Sequence, residues 1–314
     1  MFDLSIQEPG LPRTGVLRAL DETARSTKGA LKLPAVDCII CKKRNTFRIS
    51  GKVKYDRHQR VVLCRNCGLV YLNPRRDQQE YDVYYRDSYF HEFMDYFDSQ
   101  EGLLKWWVDQ GQYILDKTRP YLKAPAKVLE IGCAGGGILD VFKRAGHDVT
   151  GLEVLPYWIE FAQKNFQITI VDQDFHALIN EKKQFDLIIL SHFLEHLLDP
   201  VSWLEELKPL LSAGGLIYVE TPNIRDIPQK LGLQNYFCLA HTYYFSPDTL
   251  KLIIQNSGFE VKFSDVGREV IRYLILPVDD PEVKGSCQNL KYEWLKTLAY
   301  LLSYDLAMFF QRGR

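Results

Sequence analysis

The stretch "VLEIGCAGGG", Val128–Gly137, decides the fold. A short apolar run ends at Glu130 and Ile131, passes through Gly132-x-Ala134-Gly135-x-Gly137, and opens directly into "ILDVFKRAG", whose apolar residues recur at helical spacing. A strand entering a glycine-rich turn and then a helix lets a ligand approach the backbone closely. That pattern alone is weak evidence, so its surroundings carry the reading. Downstream, "HDVTGLEV", "ITIVDQDF", "FDLIILSH" and "GGLIYVETP" have strand character, and they alternate with the helical runs "PYWIEFAQKN" and "DPVSWLEELKPLL". Such alternation predicts a parallel sheet with helices on both faces. "SPDTLKLIIQNSGFEV" adds a helix–strand pair, with Ser246 as N-cap and Gly258 closing the helix.

Carboxylates stand where a nucleoside ligand needs them. Glu153 ends the run after the glycine turn, where a carboxylate accepts hydrogen bonds from ribose hydroxyls. Asp174 follows the third strand, in position to meet an adenine amino group.

Taken in order, "VLEIGCAGGG", "GLEV", "QFDLIILSHFLEHLLDP", "LKPLLSAGGLIYVETPN" and "SGFEV" make the chain resemble class I S-adenosylmethionine-dependent methyltransferases over about residues 125–265. A dehydrogenase shares the first turn but is not expected to carry "LKPLLSAGG" followed by a strand and "TPN". The resemblance implies a Rossmann-like α/β core with a mostly parallel seven-stranded sheet. It implies S-adenosylmethionine as cofactor, held by Glu130, Gly132, Cys133, Ala134, Gly135, Gly137, Glu153, Val154, Asp174, Ser191 and His192.

Seven cysteines are present, and four form two close pairs. Cys38-x2-Cys41 and Cys64-x2-Cys67 have nearly the spacing of a zinc ribbon, the gap between pairs being slightly long. Four thiolates around zinc leave no open position, so such a site is structural. The intervening "FRISGKVKYDRHQRVVLC" reads as two strands and a turn. Cys133, Cys238 and Cys287 are scattered, and the N-terminus lacks the basic and apolar regions of a signal peptide, so the cysteines suggest metal and a cytoplasmic protein. No run is apolar and long enough to span a membrane. The expected organisation is an arm over 1–34 with one short helix in "VLRALDETARS", a zinc ribbon over 35–75 and a helical aromatic cap over 76–123. A cofactor-binding domain over 124–278 and a helical extension over 279–314 follow.

The order of a four-cysteine segment, "LVYLNPRRDQQEYDVYY", the core and "HTYYFSPDTL" is similar to methyltransferases of sugar and surface-polysaccharide pathways. These include zinc-containing enzymes acting on nucleotide-linked sugars. This implies a sugar or nucleotide sugar as acceptor. From their places in the chain, Tyr85 belongs to a tyrosine-rich stretch that forms either a lid over cofactor and acceptor or the core of a helical cap, Asn223 stands at a strand end suited to acceptor hydroxyls, and Tyr243 or Tyr244, with His241, could take the role of a catalytic tyrosine at the acceptor.

The stretch "SHFLEH", Ser191–His196, also spells the H-x-x-E-H signature of a zinc peptidase. Its place at the end of an apolar strand, with Pro200 soon after, argues against that. Three readings stay open. In one, His196 is a general base oriented by Glu195 and assisted by His241. In another, His192, Glu195, His196 and His241 hold a divalent metal, resembling small-RNA 3′-end methyltransferases. In the third, His196 packs or caps a helix. In related sugar C-methyltransferases a tyrosine stands two residues before the Glu–His pair; here that residue is Phe193.

Formal net charge is −1, which argues against nucleic acid as partner. Against this, Lys42, Lys43, Arg44, Arg48, Lys52, Lys54, Arg57 and Arg60 crowd the cysteine segment, so an RNA-modifying protein is the rival class. A non-catalytic assembly protein with the same fold is a third. Oligomeric state, and methylation at carbon, oxygen or nitrogen, stay open at this stage.

Overall fold

The computed structural model describes residues 33–312, apart from 52, 55, 57, 90–92, 95, 96, 98, 230, 279–284, 286–289 and 291. The expected arm and its short helix, Cys287, Lys52 and Arg57 lie outside the described residues. In chain order the elements are β1 (Thr46–Ser50), β2 (Val61–Cys64), β3 (Val70–Leu72), α1 (Gln78–Tyr84), a π-helical turn (Tyr85–Tyr89), α2 (Gln100–Thr118), β4 (Lys127–Ile131), α3 (Gly137–Arg144), β5 (Asp148–Leu152), α4 (Pro156–Phe166) and β6 (Thr169–Val171). There follow α5 (His176–Asn180), β7 (Phe185–Ser191), α6 (Pro200–Glu206), β8 (Leu211–Pro222), α7 (Leu233–Tyr236), β9 (Tyr243–Tyr244), α8 (Pro247–Asn256), β10 (Phe259–Val266), β11 (Val270–Pro277) and α9 (Glu293–Arg312). Seven strands form one sheet in the order β10-β11-β8-β7-β4-β5-β6, and four form another in the order β1-β2-β3-β9. This is the Rossmann-like architecture expected from the strand–helix alternation.

The described chain divides into two compact units. The first comprises residues 79–191 and 207–218. Here β4 pairs in parallel with both β5 and β7, and β5 with β6. Val128, Leu129 and Ile131 are all buried, as a central parallel strand covered on both faces requires. The carboxylate of Asp186 fixes two strand starts, accepting from the Lys127 backbone N–H at 2.8 Å and from the Ser212 hydroxyl at 2.6 Å. Trp107 on α2 fills the space above the glycine turn. A Cβ on Gly135 would lie 2.6 Å from its ring, and one on Gly137 would lie 2.6 Å from its Cβ. Those two glycines are therefore demanded by packing, whereas Gly132 (φ +71°) and Gly136 (φ +77°) are demanded by the backbone.

The second unit comprises residues 33–78, 192–206 and 219–312. The strands β1, β2, β3 and β9 are antiparallel, with Val70 opposite Tyr244 and Tyr71 opposite Tyr243. Val61, Leu63, Val70 and Leu72 share a core with Ile224, Phe237 and Tyr244, and with Leu301 and Tyr304 of α9. The cysteine segment is thus not a self-contained ribbon: it completes its core with chain from far downstream. Gly68 shows how tight the fit is. Its φ is +79°, and a Cβ there would lie 2.9 Å from backbone atoms of Glu293 and Trp294. Helix α8 is capped by Ser246, whose hydroxyl accepts from Thr249 N–H in a reciprocal capping box, and Gly258 follows it at φ +72°.

Gly137→Ala, which drives a Cβ against the immobile Cβ of Trp107, is expected to destabilise the protein by about 1–3 kcal/mol in urea denaturation. An unchanged midpoint would show that Trp107 does not seat in the turn.

Candidate active site

In the first unit the glycine turn is braced by Glu153. Its Oε2 accepts from Ala134 N–H at 3.0 Å, and its Oε1 accepts from Val154 and Leu155 N–H at 2.7 and 2.9 Å. Ala134 takes the left-handed conformation (φ +43°) that lets its N–H reach the carboxylate. A carboxylate offers about four acceptor directions, so three backbone bonds leave Glu153 one for a ligand hydroxyl. Burial pushes its carboxyl up, and the three N–H groups oppose this. Glu130 is buried, with Oε2 lacking a hydrogen-bond partner among the described residues. Burial pushes its carboxyl well up, and the charge of Glu153 adds to the effect. Burial likewise raises the Cys133 thiol, so this cysteine is an inert packing group beside the turn. The Ser191 hydroxyl, at the carboxyl end of β7, is also buried without a partner among the described residues. Val154 is 63% exposed, and Asp174 is exposed and accepts from His176 N–H at 2.9 Å.

Two buried carboxylates and an orphan hydroxyl around a backbone cradle fit a ligand that carries positive charge and ribose hydroxyls. S-adenosylmethionine has that chemistry, with its sulfonium, ammonium and ribose. It would relieve the repulsion between Glu130 and Glu153 that the protein alone leaves uncompensated.

In the second unit, a 3₁₀ turn over Leu194–His196 brings Glu195 and His196 to His241. His196 Nδ1 lies 3.1 Å from the Ala240 carbonyl oxygen. A carbonyl only accepts, so Nδ1 carries the proton and Nε2 is the nitrogen with the lone pair. Burial lowers His196 to about 4, outweighing the nearby Glu195 charge, so the ring is neutral at pH 7. Burial lowers His241 as well. The rings of His196 and His241 stand edge to face, 5.0 Å apart. Glu195 is 1% exposed, and neither of its oxygens makes a well-formed hydrogen bond among the described residues. Burial works to raise it, but contact with His192 prevails and holds it low, with His196 and His241 adding to this only when they are protonated.

His192 differs from the expectation that it lines the cofactor. Its Nδ1 lies 3.4 Å from Glu195 and its Nε2 3.2 Å from Glu220. Burial disfavours its charge, but the two carboxylates outweigh it and raise it to about 10. Neither ring nitrogen is left for a metal or a cofactor, which removes His192 from the four-ligand metal set as well. Glu195, His196 and His241 still offer one ligand atom each within 4.8 Å of one another, a spacing open to a divalent cation or to proton chemistry.

The acceptor-contact candidates fare unequally. The Tyr243 hydroxyl donates to the Leu198 carbonyl at 2.8 Å and accepts from Arg75 at 2.7 Å. The Tyr244 hydroxyl donates to the Cys238 carbonyl and accepts from its N–H, both at 3.0 Å. Both rings are buried in the second unit, so they are packing residues and not contacts for an acceptor. Asn223 is buried, and its side-chain oxygen accepts from Arg225 N–H at 3.0 Å, closing a local turn. Tyr85 is half-buried in an aromatic cluster with Tyr81, Tyr84 and Tyr89 in the first unit.

Cys38, Cys41, Cys64 and Cys67 place their sulfurs within 4.8 Å of one another, the Cys38–Cys67 and Cys41–Cys64 pairs each at 3.4 Å. That is far beyond a disulfide and close to the sulfur spacing around a tetrahedral zinc. Lys42 (φ +55°) and Gly68 supply the left-handed residue that each knuckle needs.

The sequence profile of the methyltransferase domain matches residues 95–262. The chain belongs to this methyltransferase domain family. Among related proteins, it is 25% identical over 198 residues to the human mitochondrial ubiquinone biosynthesis O-methyltransferase, covering 50% of this chain and 53% of that one. It is 30% identical over 139 residues to the Actinobacillus pleuropneumoniae ubiquinone biosynthesis O-methyltransferase, covering 38% and 59%. The chain thus spans little more than half of these relatives' length. Neither is named for a sugar pathway, so they do not carry the sugar resemblance read from the motifs. Among solved structures, a SAM-dependent methyltransferase from Archaeoglobus fulgidus aligns at 21% identity and TM-score 0.46, covering 60% of this chain and 99% of its own. The magnesium protoporphyrin IX methyltransferase of Synechocystis aligns at 17% and 0.47, covering 64% and 100%. Among the described residues no helix is long and apolar enough to cross a membrane.

The raised pKa of His192 has a consequence for stability. The unfolded chain binds this proton only below about 6.5 and the folded chain holds it to about 10. Its contribution is therefore complete below pH 6.5 and is lost as pH rises through 10. Between pH 7 and 10 the wild type is expected to lose more thermal stability than His192→Asn, a residue that tolerates the φ of +51° at this position. Parallel melting curves for the two proteins would remove the charge from His192.

Proposed function

We propose that the protein transfers a methyl group from S-adenosylmethionine to a hydroxyl of a small-molecule acceptor, with His196 as general base. The observation that carries this reading is the state of His196: neutral because burial lowers it to about 4, with its proton on Nδ1 toward the Ala240 carbonyl, beside Glu195 and His241. The bound cofactor would supply an electrophilic methyl. The chain's own work is to hold it at the glycine turn through Glu130, Glu153 and Ser191, and to take the acceptor's proton. The acceptor oxygen would displace the neutral thioether sulfur from the methyl carbon, the S–C bond pair staying on sulfur, while the acceptor proton would pass to His196 Nε2 and the imidazolium so formed would be stabilised by the Glu195 carboxylate. His241, beside both, assists in orienting the acceptor.

For the acceptor, the four-cysteine segment and the motif order support a sugar or nucleotide-linked sugar. A phenol is the second reading, supported by two observations. A base whose pKa lies near 4 suits an acidic hydroxyl better than an alcohol, and the ubiquinone relatives are named as O-methyltransferases. A labelled-methyl assay with sugar nucleotides against catechols separates the two. We assign zinc to Cys38, Cys41, Cys64 and Cys67 as a structural ion. The near-neutral charge supports small molecules over RNA, and RNA retention at physiological salt tests that rival. A non-catalytic role would be supported by failure to bind the cofactor in titration.

Four measurements test this proposal. Glu153→Gln should weaken cofactor binding by about 1–3 kcal/mol in calorimetry, since one charged acceptor is lost; unchanged affinity would remove Glu153 from the site. Elemental analysis should find one zinc per chain, lost in Cys64→Ser; wild type that folds equally well without metal would defeat the assignment. His196→Ala should lower turnover by roughly 10²–10⁴-fold with cofactor affinity retained. Wild-type activity should be level near pH 7 and fall toward pH 4 as His196 takes up a proton and ceases to be a base. If instead activity demanded an added divalent ion, and Glu195, His196 and His241 variants lost that ion together, a metal centre would replace the base.

A further inference from the structure

Four charged side chains of the second unit form an unbroken series. Arg272 on β11 donates its Nε–H to Glu220 Oε2 at 2.6 Å. Glu220 on β8 presents its other oxygen to His192 Nε2 at 3.2 Å, and His192 Nδ1 faces Glu195 Oε1 at 3.4 Å. Glu220 and Glu195 are buried, and the Arg272 side chain is only 14% exposed. Both ring nitrogens of His192 face buried carboxylate oxygens at ion-pair distances, an arrangement that a doubly protonated ring compensates on both sides and a neutral ring on one. The signs alternate from arginine to glutamate to histidine to glutamate, and the set is neutral. Buried charges persist only when compensated in this way.

The series ends on Glu195, beside His196 and His241. His192 is held there in a left-handed backbone conformation (φ +51°), with its N–H donated to the Glu220 carbonyl at 2.9 Å. Such a conformation is unfavourable for a non-glycine residue and persists only when its surroundings impose it.

We infer that Arg272, Glu220 and His192 are positioning residues, and that through them His192 stands as a fixed imidazolium which keeps the Glu195 carboxylate ionised and aimed at His196. This rests on the base assignment for its effect on turnover, but the charge state of His192 stands independently of it. All three act through Glu195. Burial would otherwise drive Glu195 to take up a proton, and a neutral Glu195 could not stabilise the imidazolium formed on His196. The elevated pKa of His192, about 10, agrees with the geometry.

The test uses the full-length protein labelled with ¹⁵N-histidine. In the wild type at pH 8, the His192 ring nitrogens should both show the imidazolium shift, assigned by loss of the signal in His192→Asn. In Glu220→Gln, where one acceptor charge is gone, the His192 ring should become neutral at that pH. A neutral His192 in the wild type overturns the inference whatever the activity. With an acceptor in hand, Glu220→Gln and Arg272→Gln should lower kcat about 10- to 100-fold with KM and cofactor affinity nearly unchanged. Arg272→Lys, which keeps the charge, should restore part of that loss and serves as the folded control should Arg272→Gln not fold. Equal kcat in wild type and Glu220→Gln overturns the positioning role. If His196→Ala is fully active, the base assignment fails, and the nitrogen shifts still decide the state of His192.

Discussion

The turn out of β7 is the constraint on which the candidate chemistry depends. Ser191 closes the strand, and the next residue reverses its backbone sign while its N–H stays bonded to the Glu220 carbonyl. That single left-handed residue stops the strand and starts the tight turn over Leu194–His196. It also fixes where the His192 ring must go, between two buried carboxylates. Had the chain continued extended, Glu195 and His196 would have pointed to opposite faces, as strand neighbours do. The 3₁₀ turn places both beside His241 instead.

Much of the core was legible from local pattern. The strand–helix alternation, the capping box at Ser246 and the two cysteine knuckles are short-range signals, readable within a few residues. What the glycines do was less legible. Gly135 and Gly137 read as openings for a ligand, yet Trp107, some thirty residues upstream, occupies the face where their side chains would be. Only Gly132 and Gly136 are set by the turn itself. Tyr243 and Tyr244 were candidate acceptor contacts, but the pairing of their strand with β3 buries both. No local signal reports a pairing partner 170 residues away.

Glu220 and Arg272 were missed, although a signal was present. Glu220 stands inside "LIYVETP" and Arg272 inside "VIRYLIL", each a single charge within an apolar strand. A charge in such a place is expensive unless it is paired, so two of them amount to a prediction of a buried ion pair. The pairing itself could not be read, because it depends on strand order. The cysteine segment shows the same division. Its spacing announces four converging thiols, while its dependence on Ile224, Phe237 and α9 for a core is a tertiary fact without a sequence signature.

The His196 cluster sets one ionised carboxylate beside two neutral rings. At rest an ionised Glu195 stands beside two histidines kept neutral by burial, and its compensation comes from His192 on the other side. This arrangement does not hold a proton on His196: the low pKa shows that desolvation exceeds the attraction of Glu195 in the absence of an acceptor. Under the proposed base role, a proton arriving on His196 would meet a carboxylate already held ionised by His192, the condition under which a fixed charge in a dry site lowers a barrier most.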